Sequence, residues 1–147
     1  MNAISSHDAA TVLTPLTQQL HRFFHALDER RYDAMLDMFT DDCRWLRQGQ
    51  LLEGKAAVRT ALESRAADSE TRHVMSNSHV AELDEECATV ESYMTAYRYP
   101  SAQTVTGLPV VPGPLRFNRV STVFRRDRGY DWRIAEQQLV PAFAFPS

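Results

Sequence analysis

Apolar positions along this chain change their spacing near residue 68: before it they recur at helical intervals, after it at every second residue. In "TPLTQQLHRFFHALDERR", Leu16, Leu20, Phe23, Phe24 and Leu27 form one apolar stripe. Thr14 followed by Pro15 reads as an N-cap and first helical residue. "RYDAMLDMF" predicts a second, short helix with Tyr32, Met35, Leu36 and Phe39 on one side. "TDDCRWLRQGQ" reads as a turn and a short strand. "EGKAAVRTALESRA" predicts a third helix that groups Val58, Ala61, Leu62 and Arg65.

Beyond Asp68 the alternation predicts four strands: "TRHVMSNSHVAEL", "ATVESYMTAYRYP", "LRFNRVSTVFRRD" and "DWRIAEQQLVPAF". The acidic "DEE" joins the first two and "RGY" is a tight turn into the last. "SAQTVTGLPVVPGP" resists regular structure and reads as a long loop or lid. Helices first and long antiparallel strands afterwards define an α+β class. Residues 1–13 are expected as a flexible lead-in and 14–147 as a single domain. A bent sheet around the first helix would leave a one-ended pocket.

Composition adds only limits. The length, 147 residues, suits one domain, and 44% hydrophobic with 24% charged residues is ordinary for a globular chain. A net charge of −3 with no basic face argues against nucleic acid. Lys55 is the sole lysine, a bias the sequence does not explain. Cys43 and Cys87 stand far apart in no metal spacing and fit a reduced, cytoplasmic protein. "MNAISSHDAATVL" lacks the basic and apolar regions of a signal peptide, and no apolar run reaches membrane-spanning length.

The segments "HALDERRYDAMLDMFTDD", "EGKAAVRTAL", "RHVMSNSHV" and "DWRIAEQQLV" together resemble the SnoaL-like branch of the nuclear transport factor 2-like superfamily over roughly residues 14–140. They are also similar to the small subunits of aromatic-ring-hydroxylating dioxygenases and, more loosely, to scytalone dehydratase. The resemblance implies an α+β cone: three N-terminal helices on a strongly curved, mostly antiparallel sheet with an internal pocket. It carries fold more than activity, because this architecture hosts enzymes, binding proteins and scaffolds.

The first chemical candidates are Asp28 and His73. An acid near the C-terminal end of a helix opposes the helix dipole by up to ~1 kcal/mol, and Asp28 lies one turn beyond Phe24, at the edge of the apolar stripe. His73 alternates with Met75 and Asn77 on one side of its strand. Asp28 and His73 match the aspartate and catalytic histidine of scytalone dehydratase. A carboxylate partner orients an imidazole and raises its basicity. The same pair can instead simply tie helix to sheet, or Arg30 and Arg31 can neutralise Asp28 at the surface; the dioxygenase small subunits, usually considered structural, carry segments similar to "LDERRYD" and "RH". The ketosteroid isomerases resemble this chain in "FTDD" and the strand after it, but Arg47 stands where their base falls and Phe23 where their helix tyrosine falls. Scytalone dehydratase has a tyrosine at the Arg47 position, so its water-polarising device is incomplete here. Pointing inward beside Cys43 and Trp45, Arg47 would suit an anionic or carbonyl-bearing ligand; pointing outward, it is a solvated strand end.

Phe24, Trp45, Arg47, Met75, Asn77, Met94 and Arg98 are the candidates for lining a ligand. Val90, Ser92, Met94, Ala96 and Arg98 share one face of their strand, expected inward with Arg98 at the rim. Glu91, Tyr93, Thr95, Tyr97 and Tyr99 share the other, expected at a subunit contact. One bulge would reverse that assignment. Asp41 and Asp42 read as a strand-starting turn more than a paired-carboxylate site. His21 and His25 have metal-pair spacing without a third ligand, so no metal is expected, and His79 is expected in or near an interface. The apolar tail "VPAFAFPS" is expected to cover the pocket mouth or dock on a neighbour.

These residues support a protein that binds a small hydrophobic molecule of aromatic, polyketide or terpenoid type. Such a protein could be a cofactor-free lyase or isomerase using the Asp28–His73 pair. The alternatives are a non-catalytic scaffold or small subunit, and a binding module. A homodimer is expected, with a trimer as the alternative suggested by the dioxygenase resemblance.

Overall fold

A computed structural model of the chain describes residues 4–102, 105–127 and 131–146. Helix α1 spans Ser6–Asp28, α2 Tyr32–Asp37 and α3 Lys55–Glu63; the strands are β1 Phe39–Arg47, β2 Gln50–Glu53, β3 Ser69–Leu83, β4 Cys87–Pro100, β5 Arg116–Arg125 and β6 Arg133–Phe143. One six-stranded sheet runs in the order β2-β1-β6-β5-β4-β3. Only β1 and β6 pair in parallel; the other neighbours are antiparallel. Bulges or irregularities interrupt β1, β3 and β6, and such extra residues bend and twist a strand. The expected α+β cone is the architecture found.

The Thr14–Pro15 helix start is corrected. Helix α1 begins at Ser6, capped by Ser5, whose hydroxyl accepts from the Asp8 N–H at 3.0 Å. Residues 6–13, expected as lead-in, are helical, and Pro15 lies inside the helix. The first turns carry no continuous apolar stripe; fully buried α1 positions begin at Leu16, so hydrophobic periodicity reports only the part that packs. Pro15 is exposed, where water can satisfy the carbonyl its missing N–H leaves unpaired.

The end of α1 matters more for the site. Arg30 adopts a left-handed conformation, φ 59°. The Arg31 N–H donates to Ala26 O at 2.8 Å and the Arg30 N–H to Leu27 O at 3.2 Å. This is a Schellman ending with arginine where glycine is usual. Its side chain accounts for the exception, donating to Ala66 O at 2.6 Å and Ser69 O at 2.8 Å. The helix thus stops at Asp28 and is tied to the start of β3.

The expected turn at "TDD" is strand from Phe39 onward, and β2 was not anticipated from the sequence. Gln48 and Gly49, both at positive φ (50° and 74°), make the two-residue turn between β1 and β2. Residues 105–114 form neither helix nor strand. The turn expected at "RGY", residues 128–130, lies outside the described residues. Phe23, Phe24, Phe39 and Trp45 form the aromatic centre of the core, with ring centroids 5.1–6.0 Å apart. Among the described residues no helix is long and apolar enough to cross a membrane.

Candidate functional site

A cavity of about 280 Å³ opens between the end of α1, α3 and the concave face of the sheet. Its walls follow from strand alternation. β3 contributes Ser69, Thr71 and His73; β4 contributes Met94, Ala96 and Arg98; β5 contributes Arg116 and Asn118; β6 contributes Leu139. β1 adds Trp45 and Arg47, and the following turn adds Gln48. Leu27 and Arg30 close one side and Ala61, Ser64, Arg65 and Ala66 another.

His73 lines this cavity and is bonded to Asp28, which does not itself line it. The Asp28 side chain is 6% exposed and that of His73 12%. The backbone N–H of His73 donates to Oδ2 of Asp28 at 2.9 Å, and Nδ1 of His73 lies 2.5 Å from Oδ1. Thr71 donates its hydroxyl to the same Oδ1 at 3.0 Å while accepting from Nη2 of Arg65 at 2.7 Å. Arg65 also donates to Leu27 O at 2.8 Å and to the Tyr32 hydroxyl at 3.0 Å. Burial by itself pushes the Asp28 pKa up, but the bonds from His73 and Thr71 outweigh it and hold the carboxyl below its ordinary value. An ionised carboxylate only accepts, so Nδ1 of His73 carries the proton. In the neutral ring Nε2 then keeps its lone pair, and it has no hydrogen-bond partner among the described residues. Phe24 packs on the imidazole, ring centroids 5.4 Å apart.

The other side chains singled out in the sequence separate into groups. Trp45, Arg47, Met94 and Arg98 line the cavity with His73. Phe24 is core behind the imidazole. Met75 pairs with Met94 across β3 and β4 but packs on the core and not in the cavity lining. Asn77 is corrected: it has φ 55° at the bulge between Ser76 and His79 and is exposed. Ser78 takes its inward place, its Oγ 3.0 Å from that of Ser92. The inward set on β4 is Val90, Ser92, Met94 and Ala96, with Arg98 at the exposed rim, as expected.

His21 and His25 are exposed on α1, and His79 is exposed too. Asp41 and Asp42 are surface strand residues paired with Lys55 at 3.5 Å and Arg125 at 2.6 Å. Among the described residues no three His, Cys, Asp or Glu side chains group to hold a metal ion. None of residues 140–146 lines the cavity. Phe143 ends β6 and stacks on Phe117 at 4.6 Å.

Several contributors were not foreseen. Thr71 and Arg65 complete the Asp28 network, and Arg116 and Asn118 line the cavity. Inward alternation along β5 (Arg116, Asn118, Val120, Thr122, Phe124) offered a signal, because two polar residues lead an otherwise core-facing row. Gln137 is also new. It is fully buried, accepts from Nε1 of Trp45 at 3.0 Å and donates to Thr122 Oγ1 at 3.0 Å. Gln137→Ala is expected to destabilise the protein by about 1–3 kcal/mol through the orphaned indole N–H, measured as a shift of the urea midpoint. An unchanged midpoint contradicts this role.

Comparison with known proteins agrees with this architecture. The model of the SnoaL-like domain family matches residues 10–138. A protein from Catenulispora acidiphila, solved in complex with S-DNPA, is 20% identical; the match covers 90% of this chain and 94% of that one, with a TM-score of 0.72. A candidate scytalone dehydratase from Novosphingobium aromaticivorans is 16% identical over 92% and 87% of the two chains, with a TM-score of 0.75. A candidate aromatic ring hydroxylase from the same organism is 19% identical over 87% of each chain, with a TM-score of 0.70. Among curated proteins none matches. Identities this low speak for the fold alone.

Proposed function

The chain belongs to the SnoaL-like domain family, and from that premise we propose that it binds a small aromatic or polyketide-type molecule and moves a proton on it without a cofactor. One observation carries this reading: an imidazole held at Nδ1 by a buried carboxylate leaves Nε2 open at a cavity. Neutral His73 takes a proton from carbon next to a carbonyl, Asp28 stabilises the imidazolium formed, and the proton returns to another atom of the substrate or to a departing hydroxide. Dehydration, isomerisation and cyclisation share this step. Trp45, Met94, Leu27 and Leu139 supply apolar contact for the ring system.

The experiment is solvent exchange. Hydroxylated bicyclic aromatic ketones in deuterium oxide are incubated with the protein, and proton NMR follows loss of the signal next to the carbonyl, or dehydration. Catalysed exchange that vanishes in His73→Ala supports the reading. Absence of any catalysed exchange or dehydration across the ketone series contradicts it.

The sheet's outer face supports a homodimer. Tyr93, Phe117, Phe143 and Phe145 make a continuous aromatic row at 5.4, 4.6 and 5.5 Å, with Val74 and Phe143 each 53% exposed. A second copy would cover it. Sedimentation at about micromolar concentration is expected to give a dimer that Phe143→Arg converts to monomer; a wild-type monomer contradicts this. The free cysteines Cys43 and Cys87 fit a cytoplasmic location.

A further inference from the structure

The cavity carries far more positive charge than proton transfer needs. Arg30, Arg47, Arg65, Arg98 and Arg116 all line it, and among the described residues no aspartate or glutamate does. None of the five joins an ion pair among the described residues, although six such pairs form elsewhere. Arg30 and Arg65 are occupied with backbone carbonyls, Tyr32 and Thr71. Arg47 and Arg116 are not so committed. The Gln48 carboxamide, with its oxygen turned toward them, accepts from Nη2 of Arg47 and from Nη1 of Arg116, each at 3.2 Å. Two guanidiniums from different strands therefore already converge on one acceptor oxygen. That acceptor is mounted on a strained turn, since Gln48 has φ 50°.

The like charges are felt at both positions. Burial, then Arg65 and Arg116, push the Arg47 pKa down; burial, then Arg98, do so for Arg116. Such a cluster is costly until an anion meets it. Arg47 also lies over the Trp45 ring, 5.0 Å from its centroid, so the cationic rim continues into an apolar wall. Within the cavity lining, Asn118 is 4% exposed and its Oδ1 has no hydrogen-bond partner, an acceptor that a hydroxyl on the ligand would satisfy.

We infer that the molecule held here is an aromatic carboxylate, its ring system against Trp45 and Met94 and its carboxylate between Arg47, Arg116 and Arg98, displacing the Gln48 carboxamide. This rests on reading the cavity as a small-molecule site. It adds the ligand's charge, which that reading leaves open. Planar guanidiniums match a carboxylate's two oxygens, and the apolar wall excludes a bare inorganic anion as the best occupant.

Calorimetric titration with 2-naphthoate, its neutral amide and inorganic phosphate tests this. The naphthoate is expected to bind at least about tenfold more tightly than the amide or phosphate, and to weaken severalfold as salt rises from about 0.05 M to about 0.5 M. Arg47→Gln and Arg116→Gln are each expected to lower naphthoate affinity about tenfold without changing that of the amide. Arg98→Gln, at an exposed position, should give a smaller loss and serves where the other variants fail to fold. Amide or phosphate binding as tight as naphthoate, no naphthoate binding at millimolar concentration, or arginine variants with unchanged affinity overturns the inference. His73→Ala is expected to retain naphthoate selectivity. Selectivity without catalysed exchange would leave this inference standing and remove the proton-transfer proposal; catalysed exchange without selectivity would do the reverse.

Discussion

His73→Ala is expected to reduce the catalysed exchange by about 10²–10⁴-fold, the usual contribution of a positioned general base, while leaving the fold intact. The imidazole is 12% exposed and Phe24 lies on it, so its removal costs some packing. It leaves the carboxylate of Asp28 with the Thr71 hydroxyl and the residue 73 N–H still donating. Rate and stability should therefore separate: a large loss in kcat beside a modest drop in melting temperature. His73→Gln preserves volume better and is expected to show the same rate loss. A variant that melts far lower yet keeps the exchange rate assigns His73 to the framework alone.

Asp28→Ala carries the larger effect on stability, about 3–5 kcal/mol, because removing one member of a buried charged network strands its partners. Three donors lose their acceptor at once: the His73 N–H, the His73 ring and Thr71. Arg65 then faces a Thr71 hydroxyl with nothing to donate to. The pH dependence has a definite sign. The folded pKa of Asp28 lies below the ordinary 3.8, so its stabilisation is fully present above that value. It is lost as pH falls through the lower folded value. Urea midpoints of wild type and Asp28→Ala should draw together as pH falls below 3.8. A gap that persists undiminished below that value contradicts the network described.

Much of this architecture was legible in the chain because long elements repeat their signal. The alternation across 71–83 and 88–100 located β3 and β4 closely, and the stripe from Leu16 to Leu27 located the packed half of α1. Short or weakly packed elements left less trace. Four-residue β2 has too few positions to alternate, and the first turns of α1 rest on the Ser5 cap more than on burial. Asn77 shows how one left-handed residue defeats a period-two argument: it turns outward and hands its inward place to Ser78.

Of the site, the Asp28–His73 contact was readable because Asp28 breaks a local rule at the end of its helix and the two positions resemble the aspartate and histidine positions of scytalone dehydratase. The supporting groups were not. Thr71, Arg65, Arg116 and Asn118 come from β3, the segment after α3, and β5, and only folding brings them to one cavity. The arginine excess was visible, but its gathering around one cavity was not.

The central claim is that His73 presents an unprotonated Nε2 to the cavity because Asp28 holds the proton on Nδ1. Long-range nitrogen–proton correlation NMR on histidine-labelled protein at neutral pH reads this tautomer directly. The account predicts a protonated Nδ1 and a bare Nε2 for His73, reverting toward the ordinary mixture in Asp28→Asn. A bare Nδ1 with the proton on Nε2 would contradict it.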